Sequence, residues 1–165
     1  MWFAGVLLFP GIGSGQGVER FRLLDNPNMV VAGGEGVMQD SYGFLWFPTI
    51  SGLVKYDGYR ITVYSYDRLD TTSISENDVT EVFEDSQRRL WIGTRQKGLC
   101  LFQRDHDSFI RIYPDTSQKD GLQSFRVNTI AEDGQGQIWV GGDALQRISS
   151  VDVHTRQFTF QTLSL

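Results

Sequence analysis

The stretch EDSQRRLWIGT, Glu84 to Thr94, reads as the end of one strand, a polar turn and a second strand. Val79 to Glu84 leads in as the first strand. The turn falls over Asp85, Ser86 and Gln87, where a short acidic side chain can accept hydrogen bonds from the backbone amides that follow it. Leu90 to Thr94 is the second strand, Gly98 to Gln103 a third and Ser108 to Tyr113 a fourth. Pro114 ends the pairing because it has no N–H to give to a ladder.

The same signal stands on both sides of this unit. QDSYGFLWFPT (Gln39 to Thr49) and EDGQGQIWVGG (Glu132 to Gly142) align with it on tryptophan, and each places an aspartate six positions earlier. The aspartates are Asp40, Asp85 and Asp133; the tryptophans are Trp46, Trp91 and Trp139. Successive tryptophans are separated by roughly 45 to 50 residues, the length of one four-stranded propeller blade. Strands recur around Phe44 to Thr49, Leu53 to Asp57 and Arg60 to Tyr66, and again around Ile138 to Gly141, Leu145 to Ser149 and Gln157 to Thr162. The fold class is therefore all-β: a β-propeller fragment of about three four-stranded antiparallel blades.

These residues have a structural reading. Gly43 and Gly136 supply a left-handed position before the second strand, and each tryptophan fills the gap between adjacent blades. Gly93 and Gly141 fit close backbone approach. Pro48, where the other copies have glycine, costs a ladder bond unless its nitrogen faces the central channel. The expected division is a leader resembling a secretory signal over 1–17, a leading strand (Glu19 to Leu24) with an irregular lead-in over 18–35, and blades over 36–70, 71–116 and 117–165. The leader rests on the apolar run Trp2 to Phe9 before Pro10, too short to span a bilayer.

Composition excludes several functions. The 165 residues carry a net charge of -5 with 40% hydrophobic and 13% aromatic content, so the chain can build a core. Its longest basic run is the pair Arg88 and Arg89, which cannot neutralise a row of phosphates, and nucleic acid is not an expected partner. Cys100 lies in an apolar run and reads as a buried, inert thiol. His106 and His154 fall on outer hairpins and face solvent, so no metal site and no cofactor are expected. No serine stands on a nucleophile elbow, and carboxylates that recur once per repeat mark turns rather than an acid and base pair. No catalytic residue is named and the chain is not expected to be an enzyme. A ligand would meet residues that vary between copies: Tyr42, Arg88, Arg95 and Lys97.

Gln39 to Tyr64, QDSYGFLWFPTISGLVKYDGYRITVY, resembles the two-component regulator propeller repeat, which runs acidic turn, glycine, Leu-Trp, then Gly-Leu and Tyr-Asp-Gly. The second copy keeps EDS, LWIGT and GLCLF; the third keeps EDG and IWVGG, with Ala144 and Leu145 in place of Gly-Leu. The departures are Pro48, the lead-in Asn26 to Gly36, and Gly142 where the pattern has threonine. The resemblance implies a periplasmic sensor region of a bacterial hybrid two-component kinase, of the kind found in gut Bacteroidetes. It also implies an oligosaccharide ligand in the full-length protein, a homodimer of the parent sensor, and a membrane helix and kinase downstream. A secreted propeller lyase or glycoside hydrolase, or a structural protein-interaction propeller, are the alternatives.

Overall fold

The computed structural model describes residues 36–163. The leader, the lead-in and the strand at Glu19 to Leu24 lie outside the described residues. Within them there are twelve strands and no helix. The first sheet is β1 (Met38–Gln39), β2 (Leu45–Thr49), β3 (Gly52–Tyr56) and β4 (Ile61–Tyr64). The second is β5 (Val79–Glu84), β6 (Leu90–Thr94), β7 (Leu99–Gln103) and β8 (Ser108–Ile112). The third is β9 (Val127–Glu132), β10 (Ile138–Gly142), β11 (Leu145–Asp152) and β12 (Gln157–Thr162). Each sheet is antiparallel with its strands paired in chain order.

The second sheet shows why this sequence stacks as blades. Successive side chains of a strand point to opposite faces, and both faces of this sheet are apolar. Leu90, Ile92, Cys100, Phe102 and Phe109 join Trp46 and Leu53 of the first sheet in one core cluster. Trp91, Leu99, Leu101, Ile110 and Ile112 join Ile130, Ile138, Val140 and Phe160 of the third sheet in another. A sheet buried on both faces reads as an unbroken apolar run, which is the character of β6 and β7. Trp46 and Trp91 are fully buried between sheets, whereas Trp139 is only half-buried.

The connections between sheets add a feature that their polar composition hides. Residues 65–78 and 113–126 each deliver one apolar side chain, Ile74 and Leu122, into the junction they span, and both are buried. The same connections hydrogen-bond the fourth strand of the next sheet, with Phe109 N donating to Thr72 O (2.7 Å) and Phe160 N to Asp120 O (2.8 Å). Each blade is thus tied to its successor by backbone as well as by core.

Most strand ends fall within one residue of expectation, and two differ by more. The strand expected at Arg60 to Tyr66 is confined to Ile61–Tyr64, and β11 runs on to Asp152 through an irregularity between Ile148 and Ser150. Pro48 sits opposite Leu53 in β2, beyond Trp46, the last residue that β1 pairs. Alternation from the closing pair Thr49 and Gly52 turns its nitrogen toward β1, where no ladder bond is made. Gly142 lies at a bulge, and a Cβ there would stand 1.8 Å from Arg126 O. Threonine, which closes the equivalent hairpins through Thr49 Oγ1 to Gly52 O (2.6 Å) and Thr94 Oγ1 to Gly98 O (2.9 Å), has no room at 142.

Candidate functional site

The turn between the first two strands of each sheet is built on its aspartate. Asp40 Oδ1 accepts from the amides of Tyr42 (3.0 Å) and Phe44 (2.9 Å), and Oδ2 accepts from the indole Nε1 of Trp46 at 2.9 Å. Asp85 repeats this with Gln87, Arg89 and Trp91, and Asp133 with Gln135, Gln137 and Trp139. Burial opposes ionisation of Asp40, but hydrogen bonds from Trp46, Arg104 and Phe44, with the charge of Arg104, hold its carboxyl below the usual range. Gly43 and Gly136 take φ of 87° and 77° in these turns, and Arg88 takes 63° at the equivalent place. The aspartate was legible as a turn residue; its grip on the indole needed the coordinates.

A second repeated contact crosses the junctions. Glu84 accepts from both the amide (2.6 Å) and the hydroxyl (3.0 Å) of Ser41 in the preceding turn. Glu132 does the same for Ser86, at 2.7 and 2.5 Å. At the first junction Arg104 adds a brace, binding Asp40 Oδ2 at 2.8 Å and Glu84 Oε1 at 2.5 Å while its guanidinium lies 4.6 Å from the Tyr42 ring centroid. Sequence reasoning missed Ser41, Ser86, Glu84, Glu132 and Arg104. The glutamate or serine that flanks the turn aspartate, in Asp40-Ser41, Glu84-Asp85-Ser86 and Glu132-Asp133, was the available signal for the first four; nothing local marks Arg104.

The four residues expected to meet a ligand divide between two ends of the strands. Tyr42, more than half exposed, and Arg88 lie on the turn end around Arg104, whose Nε reaches Arg88 O at 3.4 Å. Arg95 and Lys97 lie at the opposite end of β6, where Arg95 pairs with Asp78 at 2.8 Å. Structure therefore brings the first two together and separates them from the others. His106 and His154 are exposed on the hairpins between third and fourth strands, and Cys100 is buried, its thiol pushed up by that burial and donating to Ser75 Oγ at 3.2 Å.

An open groove of about 750 Å3 lies between β4 with its following connection and the hairpin that leads into β8. Tyr64, Tyr66, Asp67, Arg68, Asp70, and Asp107 line it. Asp107 Oδ1 accepts the Tyr64 hydroxyl (2.6 Å), Asp67 Oδ1 the Leu69 amide and Asp70 Oδ1 the Thr72 amide and hydroxyl. The second oxygen of each carboxylate makes no hydrogen bond among the described residues. Arg111 fixes the groove wall by donating to Ser73 O (2.7 Å), Asp67 O (3.0 Å) and Asp70 O (2.5 Å), with Tyr66 packed on its guanidinium. The corresponding groove at the next junction is smaller, about 260 Å3. Such a wall of aromatic faces and outward carboxylate oxygens suits a ligand rich in hydroxyl donors.

Comparison with known proteins bears on this arrangement. The family model described as two component regulator propeller matches residues 73–96 and 121–144. Those two segments are similar to two component regulator propeller repeats. Both matches begin just before the buried plug, Ile74 or Leu122, and end after the strand that holds the tryptophan. They fall on the second and third copies, while the first copy departs at Pro48. The chain superposes on the extracellular domain assigned to a hybrid two component system of B. thetaiotaomicron with a TM-score of 0.66 and 27% identity over 78% of its length. It spans 18% of that domain. Two structures of another B. thetaiotaomicron extracellular domain match at 20% identity over 76% of this chain and 23% of theirs, with a TM-score of 0.34. No curated protein matches the sequence.

Proposed function

We propose that this chain is part of the periplasmic sensor region of a hybrid two-component system, that it binds an oligosaccharide, and that it signals to a kinase outside this chain. The observation that carries the reading is the superposition of stacked repeat blades on the extracellular domain of a hybrid two component system. The groove between β4 and β8 is the ligand site: Tyr66 offers a ring face, and Asp67, Asp70 and Asp107 offer acceptor oxygens for sugar hydroxyls. Ligand acts by binding one arrangement of the parent homodimer better than another, since differential affinity alone can shift such an equilibrium.

Calorimetry of the complete ectodomain against a panel of oligosaccharides tests this. A binding sugar should lose at least about tenfold in affinity, roughly 1.4 kcal/mol, with Tyr66→Ala or Asp67→Asn. Equal affinity in both variants would remove the groove from the argument, and an ectodomain that binds no sugar would remove the ligand class. Turnover of the sugar would favour a lyase or hydrolase instead.

A further inference from the structure

We infer that the grooves at the two junctions are neighbouring subsites for one ligand, a neutral oligosaccharide long enough to reach from the first into the second. The inference rests on the reading of the first groove as a sugar site. Both grooves are made by the same parts of the repeat: the fourth strand of one blade, the connection that follows it, and the next blade's fourth strand with the hairpin before it.

One guanidinium joins them. Arg111 lines the second groove and lies 5.2 Å from the ring centroid of Tyr66, which lines the first. Its Nη1 also reaches the hydroxyl of Tyr113, another wall of the second groove, at 3.4 Å. Bonds to Ser73 O, Asp67 O and Asp70 O hold the guanidinium in place, so the strip between the grooves is ordered without ligand. Tyr66 is 42% exposed and Tyr113 49%, which leaves each ring surface to offer a sugar that passes over the strip.

The hairpin residue that lines the groove changes character between junctions. Asp107 stands at the first and Arg156 at the second, each at a left-handed position of its hairpin, with φ of 48° and 55°. Glycine fills such a position without strain, and residues held there against that cost collect at ligand clamps. Asp107 has an oxygen left to accept, whereas Arg156 makes no hydrogen bond or ion pair among the described residues and can only donate. Asp115 and Asp120 line the second groove too and balance Arg111 and Arg156 there. That subsite therefore suits a neutral sugar, whose hydroxyls both donate and accept.

Stacked sheets lie about 10 Å apart, so a ligand confined to one groove leaves the next empty and only an extended chain fills both. Linking the two contacts makes the second intramolecular, which raises affinity with no change in either groove.

Calorimetry of the complete ectodomain against cello-, malto- and xylo-oligosaccharide ladders, each from disaccharide to hexasaccharide, tests this. In a ladder that binds, the hexasaccharide should bind at least about tenfold tighter than the disaccharide. Arg156→Gly, which keeps the left-handed backbone unstrained, and Tyr113→Ala should each cut that step to less than about threefold and leave disaccharide affinity unchanged. Tyr66→Ala should weaken both lengths. A disaccharide that needs Tyr66 but gains nothing with length, or a gain that survives both second-groove variants, would overturn the inference and leave the first groove a sugar site. Disaccharide affinity untouched by Tyr66→Ala would remove the first groove and this inference with it, and binding to none of the ladders would remove both.

Discussion

The indole N–H of Trp91 donates to Asp85 Oδ2 at 2.9 Å, six residues back along the chain, and both side chains are closed off from water. That bond joins the turn to the core. The same carboxylate satisfies two turn amides and the Arg89 guanidinium at 2.6 Å, so four donors depend on one residue.

Asp85→Ala should cost about 3–5 kcal/mol, because it strands a buried indole donor and an arginine together. Asp85→Asn should cost less, about 1–3 kcal/mol, since the amide keeps one acceptor but turns a donor toward the indole or the arginine. Asp133→Ala, in the more exposed third turn, should be the mildest of the three. Urea unfolding of the variants gives the order, and an equal loss for Asp85→Ala and Asp133→Ala would contradict it.

Stability should fall at both ends of the pH scale. Hydrogen bonds and Arg104 depress Asp40 below its ordinary value of 3.8, so its contribution is present above that pH and lost as pH falls through the folded value. Tyr64 shifts the other way: burial, then the Asp107 hydrogen bond and charge, raise its hydroxyl above 10.0. Its unfolded form deprotonates first, so that contribution is intact below about pH 10 and lost as pH rises beyond it. Asp40→Asn should flatten the acid limb and Tyr64→Phe the alkaline limb of a plot of unfolding free energy against pH.

Gly142→Thr, which makes the third copy more like the second, should destabilise by about 3 kcal/mol or more, because the new Cβ would meet the Arg126 carbonyl at 1.8 Å. Gly134→Ser, where an added Cβ meets nothing within 4 Å, should stay within about 0.5 kcal/mol of the parent. Thermal unfolding of the pair decides whether the bulge or the repeat pattern governs position 142.

Arg88→Gly should stabilise by about 0.5–1 kcal/mol. Arg88 holds φ at 63°, a region costly to any residue with a Cβ, where the other two copies have glycine. A lower melting temperature for this variant would show that the exposed guanidinium contributes more than the strain removes.

Sequence alone determined the repeat, the twelve strands and the turn aspartates, because strand alternation and turn chemistry act between residues close in the chain. Val79–Glu84, Leu90–Thr94 and Gln157–Thr162 were legible to the residue on that basis. Tertiary structure alone decided what meets across a junction: Glu84 on Ser41, Arg104 between Asp40 and Glu84, and Ile74 driven from a polar connection into the core. Those partners lie tens of residues apart, and only the stacking of one sheet on the next brings them within bonding distance. The candidate groove belongs to the same class, since its walls come from two blades and no single segment carries its pattern.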